Sequence, residues 1–109
     1  MKIKKGFILK EMSKDSGINI VVAVGEASKQ LNGYLTLNES GAIIFKTLQN
    51  GATVDEVVDA ILNEYEVERE IAKKDVLMVI DNLKKIGAID DWYILWRNIK
   101  YKRLYNKRV

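Results

Sequence analysis

No cysteine, histidine or proline occurs among the 109 residues. Without cysteine there is no disulfide, no thiolate metal ligand and no thiol nucleophile. Without histidine the commonest general base and the commonest metal ligand are missing. Without proline there is no stiff linker. A glycine-rich phosphate loop is absent too. Catalysis would have to rest on carboxylates, lysine, tyrosine or hydroxyls. The acidic pairs (Asp55-Glu56, with Asp59 close by, and Asp90-Asp91) read as helix starts or solvated faces. No reaction class, metal or cofactor follows, and a non-enzyme is expected. Long apolar runs are also lacking. Val76 to Ile80 is far too short to cross a bilayer, and Met1 to Met12 has lysines but no signal-peptide core. A cytoplasmic location is expected.

What remains is enough for one folded domain: 48% of residues are apolar and 30% charged. The charge is unevenly placed. Residues 1–91 hold 12 basic and 15 acidic groups, whereas residues 92–109 hold six basic groups and no acid. The net charge of +3 therefore comes from the tail, and a basic pI says nothing about nucleic-acid binding by the body.

Phe7 to Met12 is short, apolar and β-compatible, and Ser13 to Gly17 marks a turn. Ile18 to Val24 is rich in β-branched residues, so an antiparallel hairpin is expected. Gly25 to Gln30 is a connection of undefined shape. Asn32-Gly33 signals a turn, and Tyr34 to Leu37 makes a third strand. Asn38 caps a first helix whose buried positions are Ala42, Ile43, Phe45 and Leu48, ended by Asn50-Gly51. Thr53 with Glu56 forms a capping box for a second, with Val57, Val58, Ile61, Leu62 and Tyr65 inward. A third follows the acidic stretch Glu66 to Glu70. It aligns Ala72, Val76, Val79, Ile80, Leu83 and Ile86 on one face. Gly87 ends it, and Ala88-Ile89 return to the sheet or cover the core. The expected fold is α+β: a three-stranded antiparallel sheet, then a three-helix bundle whose last two helices form a winged helix-turn-helix. A basic, aromatic, helical extension follows over residues 92–109.

Three surfaces could carry function. The first is the groove between the third strand and the third helix. That helix has apolar residues beyond its core stripe: Leu77 roughly 100° to one side of Val76, Met78 with Ile71 on the other flank. An outer strand beside them offers unpaired backbone to an extended peptide. The bland alternative is that these residues complete the core or touch the tail. The second is DNA binding by the third helix. Its Arg69, Lys73, Lys74, Lys84 and Lys85 are offset by Glu68, Glu70, Asp75 and Asp81, which argues against phosphate contact. The third is the tail, where Trp92, Tyr93, Trp96, Tyr101 and Tyr105 interleave with the basic groups. Membrane-surface contact, stacking on single-stranded nucleic acid, homodimerisation, docking on an enzyme and packing on its own domain all stay open.

The string Asn32-Gly33, then Leu37 to Phe45, then Leu48 to Thr53, with Glu64-Tyr65, Asp75-Val76, Leu83 and Gly87-Ala88-Ile89, resembles the PqqD-like family over residues 3–91. These are small proteins related to the pyrroloquinoline quinone biosynthesis chaperone. The resemblance implies a winged-helix-like domain that binds the leader of a ribosomally made precursor peptide. It also implies presentation of that peptide to a modifying enzyme, often a radical S-adenosylmethionine enzyme. It implies strand addition at Gly33, Tyr34, Leu35, Thr36 and Leu37. On the third helix it points to Ile71, Lys74, Asp75, Leu77, Met78, Asp81 and Asn82, with the groove-facing flank left open. The runner-up readings are a winged-helix DNA-binding regulator and an assembly protein acting through its tail.

Overall fold

The computed structural model describes residues 1–12 and 16–90. Five strands and three α-helices follow in order: β1 (Lys2–Ile3), β2 (Phe7–Glu11), β3 (Asn19–Ala23), a 3-10 turn (Gly25–Lys29), β4 (Tyr34–Leu37), α1 (Glu39–Gln49), α2 (Val54–Glu64), α3 (Arg69–Lys85) and β5 (Ile89–Asp90). This is the expected α+β order. Residues 91–109, and with them the expected helical extension, lie outside the described residues.

Strands β2, β3 and β4 form one antiparallel sheet in that spatial order. Phe7 lies opposite Ala23 and Glu11 opposite Asn19; Asn19 lies opposite Leu37 and Val22 opposite Tyr34. Side chains alternate across a pleated strand. Phe7, Val21 and Leu37 accordingly enter the core, while Ile8, Tyr34 and Thr36 face water. Gly33 carries φ 111°, a conformation open to glycine, and lets the chain turn into β4.

Each helix begins where local chemistry allows. The Asn38 side chain accepts a bond from the Gly41 N–H at 2.9 Å. At α2 the Thr53 hydroxyl accepts from the Glu56 N–H and the Glu56 carboxylate accepts from the Thr53 N–H, both at 3.2 Å. This capping box satisfies two otherwise open donors. Thr53→Ala removes one of them and is expected to cost about 1 kcal/mol, read as a lower urea midpoint with an unchanged slope. Helix α3 has no side-chain cap. Its first residue, Arg69, instead donates to Asp59 of α2 at 2.8 Å. That bond is the main reason the guanidinium pKa is raised.

The helices pack through Ile44, Phe45, Leu48, Val57, Val58, Val76 and Leu83, all fully buried. Three details differ from the sequence reading. In α1 the buried positions are Gly41, Ala42, Ile44, Phe45 and Leu48, so Ile44 rather than Ile43 is central. Positions 41, 44, 45 and 48 form the unbroken 3-4 stripe. Tyr65 follows the end of α2 and is 37% exposed. Leu62, Val79 and Ile86 are half-buried at the margin of the core. Of the two readings of Ala88-Ile89, covering the core holds: both are buried, and β5 pairs with β1 instead of the three-stranded sheet, Ile89 opposite Ile3 and Asp90 opposite Lys2. No helix among the described residues is long and apolar enough to cross a membrane.

Candidate functional site

Strand β4 forms one border of the sheet, with β3 as its partner. Which of its backbone groups face outward follows from hydrogen-bond parity. In an antiparallel ladder both N–H and C=O of a residue point to the same side, and the side alternates. The Val24 N–H donates to the Gly6 carbonyl at 2.8 Å and the Met12 N–H to the Ile18 carbonyl at 3.1 Å. Even-numbered residues of β3 therefore bond toward β2, and Asn19 and Val21 bond toward β4. Their partners Leu37 and Leu35 use their backbone groups internally. Tyr34 and Thr36 are left with N–H and C=O aimed away from the sheet. Such an edge is a template for another strand.

Helix α3 borders the same gap. Asn38, Glu39 and Ser40, just beyond β4, share one cleft of about 530 Å³ with Ala72 and Asp75 of α3; Gly17, Ile61, Tyr65, Glu66 and Val67 complete it. At the other end, Gln30 packs on the end of α3: a Cβ at Gly87 would fall 2.7 Å from the Gln30 Oε1. Two residues, Leu31 and Asn32, separate Gln30 from Gly33, and β4 begins at Tyr34. Strand and helix thus run in opposite directions along one groove. The lengths agree: β4 spans about 13 Å and Asp75 to Ile86 about 16 Å.

The cleft marks one flank of α3, the flank of Ala72 and Asp75. Starting from Ala72 and Asp75 at roughly 100° per residue, the same side carries Val79, Asn82 and Ile86, with Ile71 and Met78 on its outer rim. Ile71 is 50% exposed and Met78 63%. Half-buried Leu31 and Leu35 provide apolar surface from the sheet side. Of the residues expected on α3, the helical wheel puts Ile71, Asp75, Met78 and Asn82 on the flank that lines the cleft, while Gly33 to Leu37 lead along the border strand to its rim at Asn38. Leu77 and Asp81 lie around the far side of the helix, where Asp81 pairs with Lys85 at 3.2 Å. Lys74 points away from the core, between the two flanks. Val79 and Ile86, which their spacing marks as core, are half-buried at its margin, as is Leu31, to which the sequence reading gave no role.

Residues 20–89 match the family model described as coenzyme PQQ synthesis protein D (PqqD). No curated protein sequence matches the chain. Two solved structures share the fold. One is TbiB1 in complex with the TbiA(beta) leader peptide: TM-score 0.64, 22% identity, covering 83% of this chain and 95% of that one. The other is a lasso peptide synthetase B1 complexed with the leader peptide: TM-score 0.58, 23% identity, 80% and 93% covered.

Proposed function

We propose, since the chain belongs to the family of coenzyme PQQ synthesis protein D (PqqD), that it is a non-enzymatic module binding the leader of a ribosomally made precursor peptide. One observation carries the reading: Tyr34 and Thr36 turn their backbone groups outward on the border strand, and a cleft joins the end of that strand to Ala72 and Asp75 of α3. An extended leader adds to β4 as a fourth strand of the sheet. Its backbone bonds to Tyr34 and Thr36, and Gly33, Leu35 and Leu37 hold that edge in place. Alternate leader side chains reach down to Val79, Ile86 and Leu35 and past the rim residues Ile71 and Met78. Asp75 and Asn82 give polar selection along the groove. The bound leader then presents the rest of its peptide to a modifying enzyme, for which a radical S-adenosylmethionine enzyme is the expected type. Both structural neighbours were solved with leader peptides, which supports this reading.

So small an interface is expected to bind with a dissociation constant on the order of 1 μM. Titrating the chain with a precursor leader from a neighbouring gene tests it. Met78→Asp places a charge on the groove rim and is expected to weaken binding about tenfold, roughly 1.4 kcal/mol. Leu77→Asp, on the far flank, is expected to leave affinity unchanged. Equal losses from both variants, or none from either, would remove α3 from the site.

A further inference from the structure

The cleft at the Leu37 end of β4 has a lining that suits one kind of side chain. Its carboxylates are Glu39 of α1, Glu66 of the α2–α3 connection and Asp75 of α3, and no lysine or arginine among the described residues lines it. None of the three forms an ion pair among the described residues. Lys73 and Lys74 precede Asp75 on α3 but line neither this cleft nor its neighbour. That neighbour shares Gly17, Glu39 and Tyr65 and adds Glu11 and Glu64. Its lysine, Lys46, pairs with Glu11 at 3.6 Å. Between the carboxylates the wall is apolar. Ile61 and Ala72 are buried, Val67 is half-buried, and Tyr65 adds an aromatic ring.

We infer that this cleft is a subsite for a lysine or arginine side chain of the bound leader, just beyond the position paired with Leu37. The inference rests on leader binding at β4 as proposed above and names the residue type that this end of the strand selects. Continuity places it: β4 ends at Leu37 and the cleft wall begins at Asn38. An amphipathic side chain matches the lining. Its aliphatic stem covers Ile61, Val67 and Ala72 while its charged head meets the carboxylates. The competitors fare worse. An acidic side chain meets three like charges. A purely apolar one shuts carboxylates away from water with no partner. The N-terminus of α1 opens here too, and its dipole favours an anion, but Glu39 in its first turn already supplies one.

A phage-displayed library of short random peptides, selected against the full chain, tests this without a known precursor. Lysine or arginine is expected to recur at one fixed place beside the stretch that the selected peptides share. Exchanging it for glutamine in a selected peptide should weaken binding about fivefold, and by less at high salt. The double variant Glu66→Gln, Asp75→Asn should be indifferent to that exchange. Both side chains are exposed and neither caps a helix, so circular dichroism should stay native. An apolar or acidic residue at that place would overturn the inference and leave leader binding standing. So would a cationic residue whose effect survives in the double variant. Selected peptides that bind the Thr36→Pro chain as tightly as the native one would instead remove strand addition at β4, and this subsite with it.

Discussion

Replacing Thr36 by proline is expected to weaken leader binding at least about tenfold while the domain stays folded. The Thr36 N–H points out of the sheet, so proline removes a donor that only an incoming strand would use. Edge positions of this kind tolerate proline in natural sheets. The lost bond is worth about 1 kcal/mol, and the ring hinders close approach of a second backbone, which brings the total past the 1.4 kcal/mol of a tenfold change. One residue away the outcome reverses. The Leu35 N–H bonds inward to β3, so Leu35→Pro breaks the ladder and should cost about 3 kcal/mol or more of stability. Calorimetric titration and thermal melts on the two variants separate the effects. Unchanged leader affinity in Thr36→Pro would mean that the peptide docks elsewhere.

Phe45→Ala is expected to be the most damaging single change to the fold. Phe45 is fully buried on α1, between the sheet and the other two helices. Truncating such a ring costs about 3–5 kcal/mol through lost transfer energy and an unfilled cavity. A domain this size has only about 5–15 kcal/mol in all. The melting temperature should fall by more than about 12 °C at roughly 4 °C per kcal/mol. Differential scanning calorimetry checks this, and a fall of only a few degrees would mean that the three layers do not meet at Phe45.

Features set by neighbouring residues were legible in the sequence. Asn38 and Thr53 start their helices by bonding groups three residues on, so composition and spacing suffice to find them. Strands β2, β3 and β4 announce themselves through β-branched runs between turn residues. The family resemblance, carried by the same residues, agrees with the match over residues 20–89. Features set by distant pairing were not legible. Strands β1 and β5 have two residues each, too few for any periodicity, and exist because Lys2 and Asp90 meet across the whole chain. The 3-10 turn Gly25–Lys29 has no sequence pattern of its own. It fits closely against Gly6, where a Cβ would come within 2.8 Å of Ala27.

The candidate site divides along the same line. That β4 would be a sheet border was readable from its position after a turn and before a capped helix. Which flank of α3 faces it was not, because a helical wheel offers Leu77 and Met78 equally. The choice depends on Ala72 and Asp75 lining one cleft with Asn38, a fact of packing. Val79 and Ile86 show the limit most clearly. Their spacing is that of core residues, and their half-burial at its margin is a fact of packing that spacing does not give.

Amide hydrogen exchange on the chain with and without a bound leader peptide tests strand addition most directly. The account predicts that the Tyr34 and Thr36 amides exchange fast in the free chain and become protected on binding, while Leu35 and Leu37 are protected in both states. Protection that leaves Tyr34 and Thr36 unchanged with the leader at saturation would contradict it.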